Sequence, residues 1–141
     1  MDGMIEELDI FFEKWASCDA KKAFHIFRKA LESVDKVILD FKARPGVTYS
    51  LRGAHPHHQE RELFVLIDII DDDPTQRWLS VCFYNNMVSD PQNLGDWIPQ
   101  GILGEDARCF DVDELDENFV TYVAQRIQEA GRIAALNTTI T

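Results

Sequence analysis

Glu62-Leu63-Phe64-Val65-Leu66-Ile67-Asp68-Ile69-Ile70 and Arg77-Trp78-Leu79-Ser80-Val81-Cys82-Phe83-Tyr84 are two apolar runs joined by Asp71-Asp72-Asp73-Pro74-Thr75-Gln76. Both runs are short and rich in aliphatic and aromatic residues, and the joining segment is made of turn formers. Together they predict the central hairpin of a sheet. In the first run Leu63, Val65, Ile67 and Ile69 fall on one face and Phe64, Leu66 and Ile70 on the other, with Asp68 the exception. A strand apolar on both sides is expected to be covered on both faces, or nearly so. In the second run Leu79, Val81 and Phe83 alternate with Trp78, Ser80, Cys82 and Tyr84, a mixed face suited to a helix or a partner.

Upstream, Ile5, Leu8, Phe12 and Trp15 recur at steps of three and four among charged residues, which predicts an amphipathic helix over residues 4–16. Asp19 is placed to cap a second helix of about six turns, whose apolar side is Phe24, Phe27, Leu31, Val34, Ile38 and Phe41. Lys22, Lys29 and Lys36 line its opposite, solvated side, and Pro45-Gly46 ends it. A short strand over residues 47–52 and a loop over 53–60 lead into the central hairpin. Downstream, Asn85 to Ala107 reads as a long irregular stretch, with Pro91, Gly95, Pro99, Gly101 and Gly104 as breakers. A strand over 108–112 follows, and the acidic run Asp111 to Glu117 introduces a last helix carrying Phe119, Val123, Ile127, Ala130 and Ala134. Gly131 weakens that helix near its end, and residues 137–141 are expected to fray. The expectation is one α+β domain over residues 1–141, with a helical part (1–43), a sheet and long loop (44–112) and a C-terminal helix (113–136). In it an antiparallel sheet of about four to six strands packs on two N-terminal helices and one C-terminal helix.

The net charge of −11 argues against nonspecific binding to nucleic acid or to an anionic membrane. Its distribution is uneven. Residues 21–61 hold nine basic and four acidic side chains, a balance of +5, and the remainder carries −16. Such polarity suits self-complementary association, a homodimer for instance, or simply a basic helix beside an acidic sheet rim. The N-terminus lacks a signal-peptide pattern and no run approaches a membrane span, so a cytoplasmic protein is expected. Cys18, Cys82 and Cys109 are odd in number and unrelated in spacing, which reads as three reduced thiols.

His55-Pro56-His57-His58 is the most conspicuous chemical cluster. Imidazoles of a loop bind iron or zinc, but no standard ligand spacing is met, and a solvent-exposed loop is the favoured reading of the cluster. The acidic runs Asp71–Asp73 and Asp111–Glu117 have turn and helix-terminus explanations, and no EF-hand pattern is present. Neither a phosphate-binding fingerprint nor a nucleophile–base pair stands out. The better binding candidate is aromatic: Trp97, with Trp78, Tyr84 and Arg77 nearby, forming a pocket or an anchor for a partner, against the alternative of core packing by the returning loop.

Pro45-Gly46-Val47-Thr48-Tyr49-Ser50-Leu51-Arg52, the hairpin strands 63–68 and 79–84, and Cys109-Phe110-Asp111-Val112-Asp113 resemble the YdhG-like group of small bacterial α/β domains, and more remotely MmcQ/YjbR-like proteins. The resemblance covers about two-thirds of the chain and implies a fold rather than a chemistry. An iron-chaperone role has been suggested within that group, but no ligand motif carries over residue by residue. The function expected is a non-enzymatic binding or interaction module for a protein or small ligand, without a cofactor. A metal-binding protein using the histidine loop or the acidic rim is the alternative, and a small enzyme the third class.

Overall fold

The computed structural model describes residues 3–140, with side chains from residue 5 onward. Three helices, α1 (Gly3–Lys14), α2 (Asp19–Glu32) and α3 (Glu117–Ala135), accompany six strands. The strands are β1 (Ile38–Arg44), β2 (Thr48–Ala54), β3 (Val65–Ile70), β4 (Trp78–Tyr84), β5 (Asp96–Ile102) and β6 (Glu105–Val112). They form one antiparallel sheet in the order β1-β2-β3-β4-β6-β5, which is the α+β architecture expected.

The central hairpin is β3–β4, with Ile67 opposite Val81 and Ile69 opposite Leu79. Period-two alternation places Phe41, Leu51, Ile67, Val81 and Phe110 in one cross-strand row on the face that the helices cover, and all five are buried. α1 reaches this face through Phe11, stacked on Tyr49 at 3.9 Å between ring centroids. α3 reaches it through Phe119 and Tyr122 against Phe110. The close approach of α2 depends on Gly53, where a Cβ would stand 2.6 Å from a Leu31 methyl. Gly131, expected to weaken α3, serves the same end: a Cβ there would stand 2.6 Å from Val34.

All three helices lie on one face, so the expectation that β3 is covered on both sides is corrected. On the open face Leu66, Asp68 and Ile70 are half-buried by neighbouring side chains alone.

Other expectations are corrected as well. The second helix stops at Glu32, and Val34, Ile38 and Phe41 do not continue it. The chain turns through Lys36, in the left-handed region at φ 64°, and enters β1, where Leu39, Phe41 and Ala43 take the strand alternation. Pro45-Gly46 therefore closes the β1–β2 hairpin, with Gly46 at φ 84°. Asp19 is the first helical residue rather than the cap, and its carboxylate accepts from Leu115 N–H at 3.0 Å, joining α2 to the segment before α3.

The stretch 85–107 is not irregular throughout. It holds a 3-10 turn (Asn85–Met87), a loop, the edge strand β5 and the start of β6. Pro99 and Gly101 hide the strand because an edge strand with a bulge tolerates both, and the β5–β6 register does shift between Ile98 and Ile102. Cys82 and Cys109 are opposite one another in the β4–β6 ladder and joined in a disulfide, while Cys18 is free and exposed. Their spacing in sequence conceals this, because pairing was decided by strand register. The tail is also tied down as far as it is described: Ile140 N–H donates to Asn86 O, and the Asn137 side chain accepts from Gln59 N–H. Thr141 lies outside the described residues.

Candidate functional site

The four aromatic and basic candidates are not brought together. Arg77 precedes β4 and Tyr84 ends it, about 20 Å apart along a strand of this length. Arg77 lies among Phe11, Trp15 and Tyr49, and its Nε donates to Asp71 Oδ1 at 2.6 Å. That guanidinium ties α1 to the hairpin turn. Trp78 stands half-buried on the open face beside Ile70. Tyr84 is buried under Arg61, whose guanidinium sits 4.1 Å from the ring centroid while pairing with Glu105 at 2.7 Å. Burial and the Glu105 carboxylate push the Tyr84 phenol above its ordinary value, Arg61 opposing them.

Trp97 stands apart from the other three. It is 54% exposed on β5, with Leu94 at 44%, Ile98 at 40% and Leu103 at 56% exposed. These four belong to one ten-residue stretch at the sheet edge, a concentration that isolated surface apolar residues do not explain. The tip of the β5–β6 hairpin is Leu103-Gly104, both at positive φ (47° and 84°). A two-residue turn of this kind favours Asn-Gly, so a leucine in the left-handed region is held at a conformational cost and displays its side chain. Gln100 is left-handed as well (φ 55°), its N–H donating to Asp106 Oδ1 at 3.1 Å across the bulge.

The segment leading into β5 is rigidly fixed. Asp90 accepts from Leu94 N–H at 3.0 Å, Gly95 N–H at 2.9 Å, the Arg108 guanidinium at 3.3 Å and the Tyr122 hydroxyl. Burial alone pushes its carboxyl up, but the Tyr122 hydroxyl, the two backbone donors and Arg108 together outweigh burial and hold it below the usual range. Tyr122 itself is pushed up, first by burial and then by its bond to Asp90. Nothing in the local sequence announces Asp90, because its donors come from three separate segments.

The histidines serve structure first. His55 is buried, its Nδ1 accepting from His57 N–H at 3.1 Å and its Nε2 lying 3.0 Å from the Asp35 carbonyl. That pattern uses both ring nitrogens, Nδ1 as acceptor and Nε2 as donor. His58 is buried without a partner for either nitrogen, and burial, with Arg61 nearby, lowers its affinity for a proton. His57 is exposed and lines a cleft of about 440 Å3 between α3 and the α2–β1 turn, beside Lys36, Gln128 and Arg132. Among the described residues, no group of three or more His, Cys, Asp or Glu side chains is arranged to hold a metal ion.

The open face carries a second feature. Lys42, Ser50, Asp68, Ser80 and Asp111 stand opposite one another across five strands, a polar row in the middle of the sheet. Burial raises the Asp68 carboxyl above its ordinary value, with the Ser50 hydroxyl, Arg52 and Arg44 opposing, and its Oδ1 has no partner. Asp111 is raised too, by burial and by the carboxylates of Asp96 and Asp113. No described helix is long and apolar enough to cross a membrane. No known protein family, curated protein or solved structure matches the chain.

Proposed function

We propose that the chain is a binding module that docks a protein partner along the β5 edge, with Trp97 as the anchor and Leu94, Ile98 and Leu103 around it. The observation that carries this is the concentration of exposed apolar side chains on 94–103, with one of them, Leu103, kept in a backbone conformation that glycine or asparagine would adopt more cheaply. A large exposed indole among aliphatic side chains on both faces of an edge strand is the composition of an interface hot spot. The partner surface is correspondingly apolar, with polar groups at its rim to meet Asp96, Gln100 and Asp106. No cofactor is needed, and the resemblance to YdhG-like domains contributes an analogy of fold alone.

Site-specific photocrosslinking tests the docking surface. With p-benzoylphenylalanine replacing Trp97, irradiation in cells is expected to join the chain to a defined second protein. The same photoprobe replacing Lys29, exposed on α2 away from the sheet edge, is expected to give no such adduct. Absence of an adduct at position 97, or identical adducts at both positions, contradicts the proposal.

A further inference from the structure

Independently of the β5 edge, we infer that the uncovered sheet face is where two copies of this chain meet, about a two-fold axis that runs parallel to the strands between β3 and β4. Two observations converge on a second copy as the occupant. The first is charge. Lys42, Arg44 and Arg52 lie on the β1–β2 half of the open face, with Asp40 the single acid among them. Asp96 and Asp111 lie on the β5–β6 half, with Asp113 beyond the end of β6. No ion pair within the described residues involves any of these side chains. Rotation about the stated axis sets β1 over β5, β2 over β6 and β3 over β4, so Lys42 comes one strand away from the other copy's Asp111 and Arg52 one strand away from its Asp96, with Asp40 over Asp96 the one like-charged approach. The alternative two-fold axis, across the strands, lays like charge on like and is excluded by the same pattern.

The second observation is the composition between the charged halves. Leu66, Ile70 and Trp78 form a half-buried apolar strip on β3 and β4, and the rotation brings these strips together. Asp68 and Ser80 interrupt the strip, so the interface is apolar on either side of a polar row and charged at its rim. The size is adequate but small. Six strands at about 4.8 Å spacing and about 20 Å of strand give roughly 600 Å2 per copy, near the lower limit for a specific interface, so a reversible, salt-sensitive dimer is expected.

Sedimentation velocity on the full chain, at low and high salt, reads the outcome. The variants are Lys42→Glu, Asp111→Lys and the two combined, chosen because the two residues share one cross-strand row, which the rotation sets one strand apart across the interface, and because both are exposed. The wild type is expected to dimerise, each single variant to raise the dissociation constant about tenfold or more, and the double variant to recover most of that loss, because reversed charges face each other again. High salt is expected to weaken the wild-type dimer and to shrink the difference among the variants. A wild-type chain that stays monomeric at about 1 mM overturns the inference, as do single variants that dimerise like the wild type or a double variant as weak as the worse single. Trp97→Ala serves as the control that separates this surface from the β5 edge: it is expected to leave dimerisation unchanged, and a dimer lost on Trp97→Ala also overturns the inference.

Discussion

Arg77 Nε donates to Asp71 Oδ1 at 2.6 Å, and both side chains are largely withdrawn from solvent, at 15% and 4% exposure. Asp71 uses its second oxygen to accept from Gly46 N–H at 2.7 Å, so one carboxylate holds the β1–β2 turn, the β3–β4 turn and, through Arg77, the aromatic side of α1. Replacing Arg77 by alanine leaves a buried carboxylate without its cation. The expected loss of stability is about 3 to 5 kcal/mol, measured by urea unfolding. Arg77→Lys recovers only part of it, because an ammonium group lacks the planar face that lies against Phe11 and Tyr49. A loss under about 1 kcal/mol for Arg77→Ala would show that the pair does not hold these elements.

Asp90 and Asp68 predict opposite pH behaviour. The native Asp90 carboxyl is held below its ordinary value, so its ionised form stabilises the fold. That stability is fully present above the unfolded value of about 3.9 and is lost as pH falls through the lower native value. Asp90→Asn is therefore expected to destabilise the protein at neutral pH, with the difference from wild type vanishing in strong acid. Asp68 is raised, so its ionised form works against the fold. Wild-type stability falls, relative to Asp68→Asn, as pH rises from about 3.9 through the higher native value. Asp68→Asn is expected to be the more stable chain at neutral pH and no more stable at pH 3. Thermal melts of both variants across pH check the two signs.

Leu103→Asn is expected to raise stability by about 0.5 to 1 kcal/mol, since asparagine accepts the left-handed conformation of the hairpin tip at lower cost. The same change removes an exposed apolar side chain of the β5 edge and is expected to weaken partner binding. A variant gaining stability and losing affinity together marks a residue kept for docking. Unchanged or reduced stability would remove the tip from the account.

Alkylation followed by mass spectrometry reads the cysteines directly. Denatured without reductant, the chain is expected to take one label, on Cys18, and after reduction three. Three labels without reductant would return Cys82 and Cys109 to the free thiols expected from spacing alone.

Where strands are continuous and buried on one side, the amino-acid pattern was decisive: Leu79, Val81 and Phe83 alternate into the core as their spacing implies. It misled where one pattern fits two periods. Val34, Ile38 and Phe41 satisfy helical steps of three and four, yet Val37-Ile38-Leu39 is also a short apolar run with two β-branched residues, and strand pairing with β2 prevailed. β5 was hidden by Pro99 and Gly101, which rule out a central strand but not a bulged edge. Trp97 was recognisable as a large side chain in a segment of low regularity, and the structure leaves it exposed. Its grouping with Arg77, Trp78 and Tyr84 did not follow, because neighbours in sequence at the two ends of one strand are far apart in space. The Asp90 cluster and the Cys82–Cys109 pair depend on strand register and on contacts between distant segments, information that no local window contains.

The affinity of the crosslinked partner for wild-type chain and for Trp97→Ala, measured by titration calorimetry on proteins of matched unfolding behaviour, bears most directly on the β5 edge as the docking surface. Because Trp97 is more than half exposed, its truncation is expected to cost far less stability than the 3 to 5 kcal/mol typical of a buried tryptophan. Affinity is expected to fall by about 2 kcal/mol or more, roughly thirtyfold in dissociation constant. Equal affinities for the two chains would contradict the account.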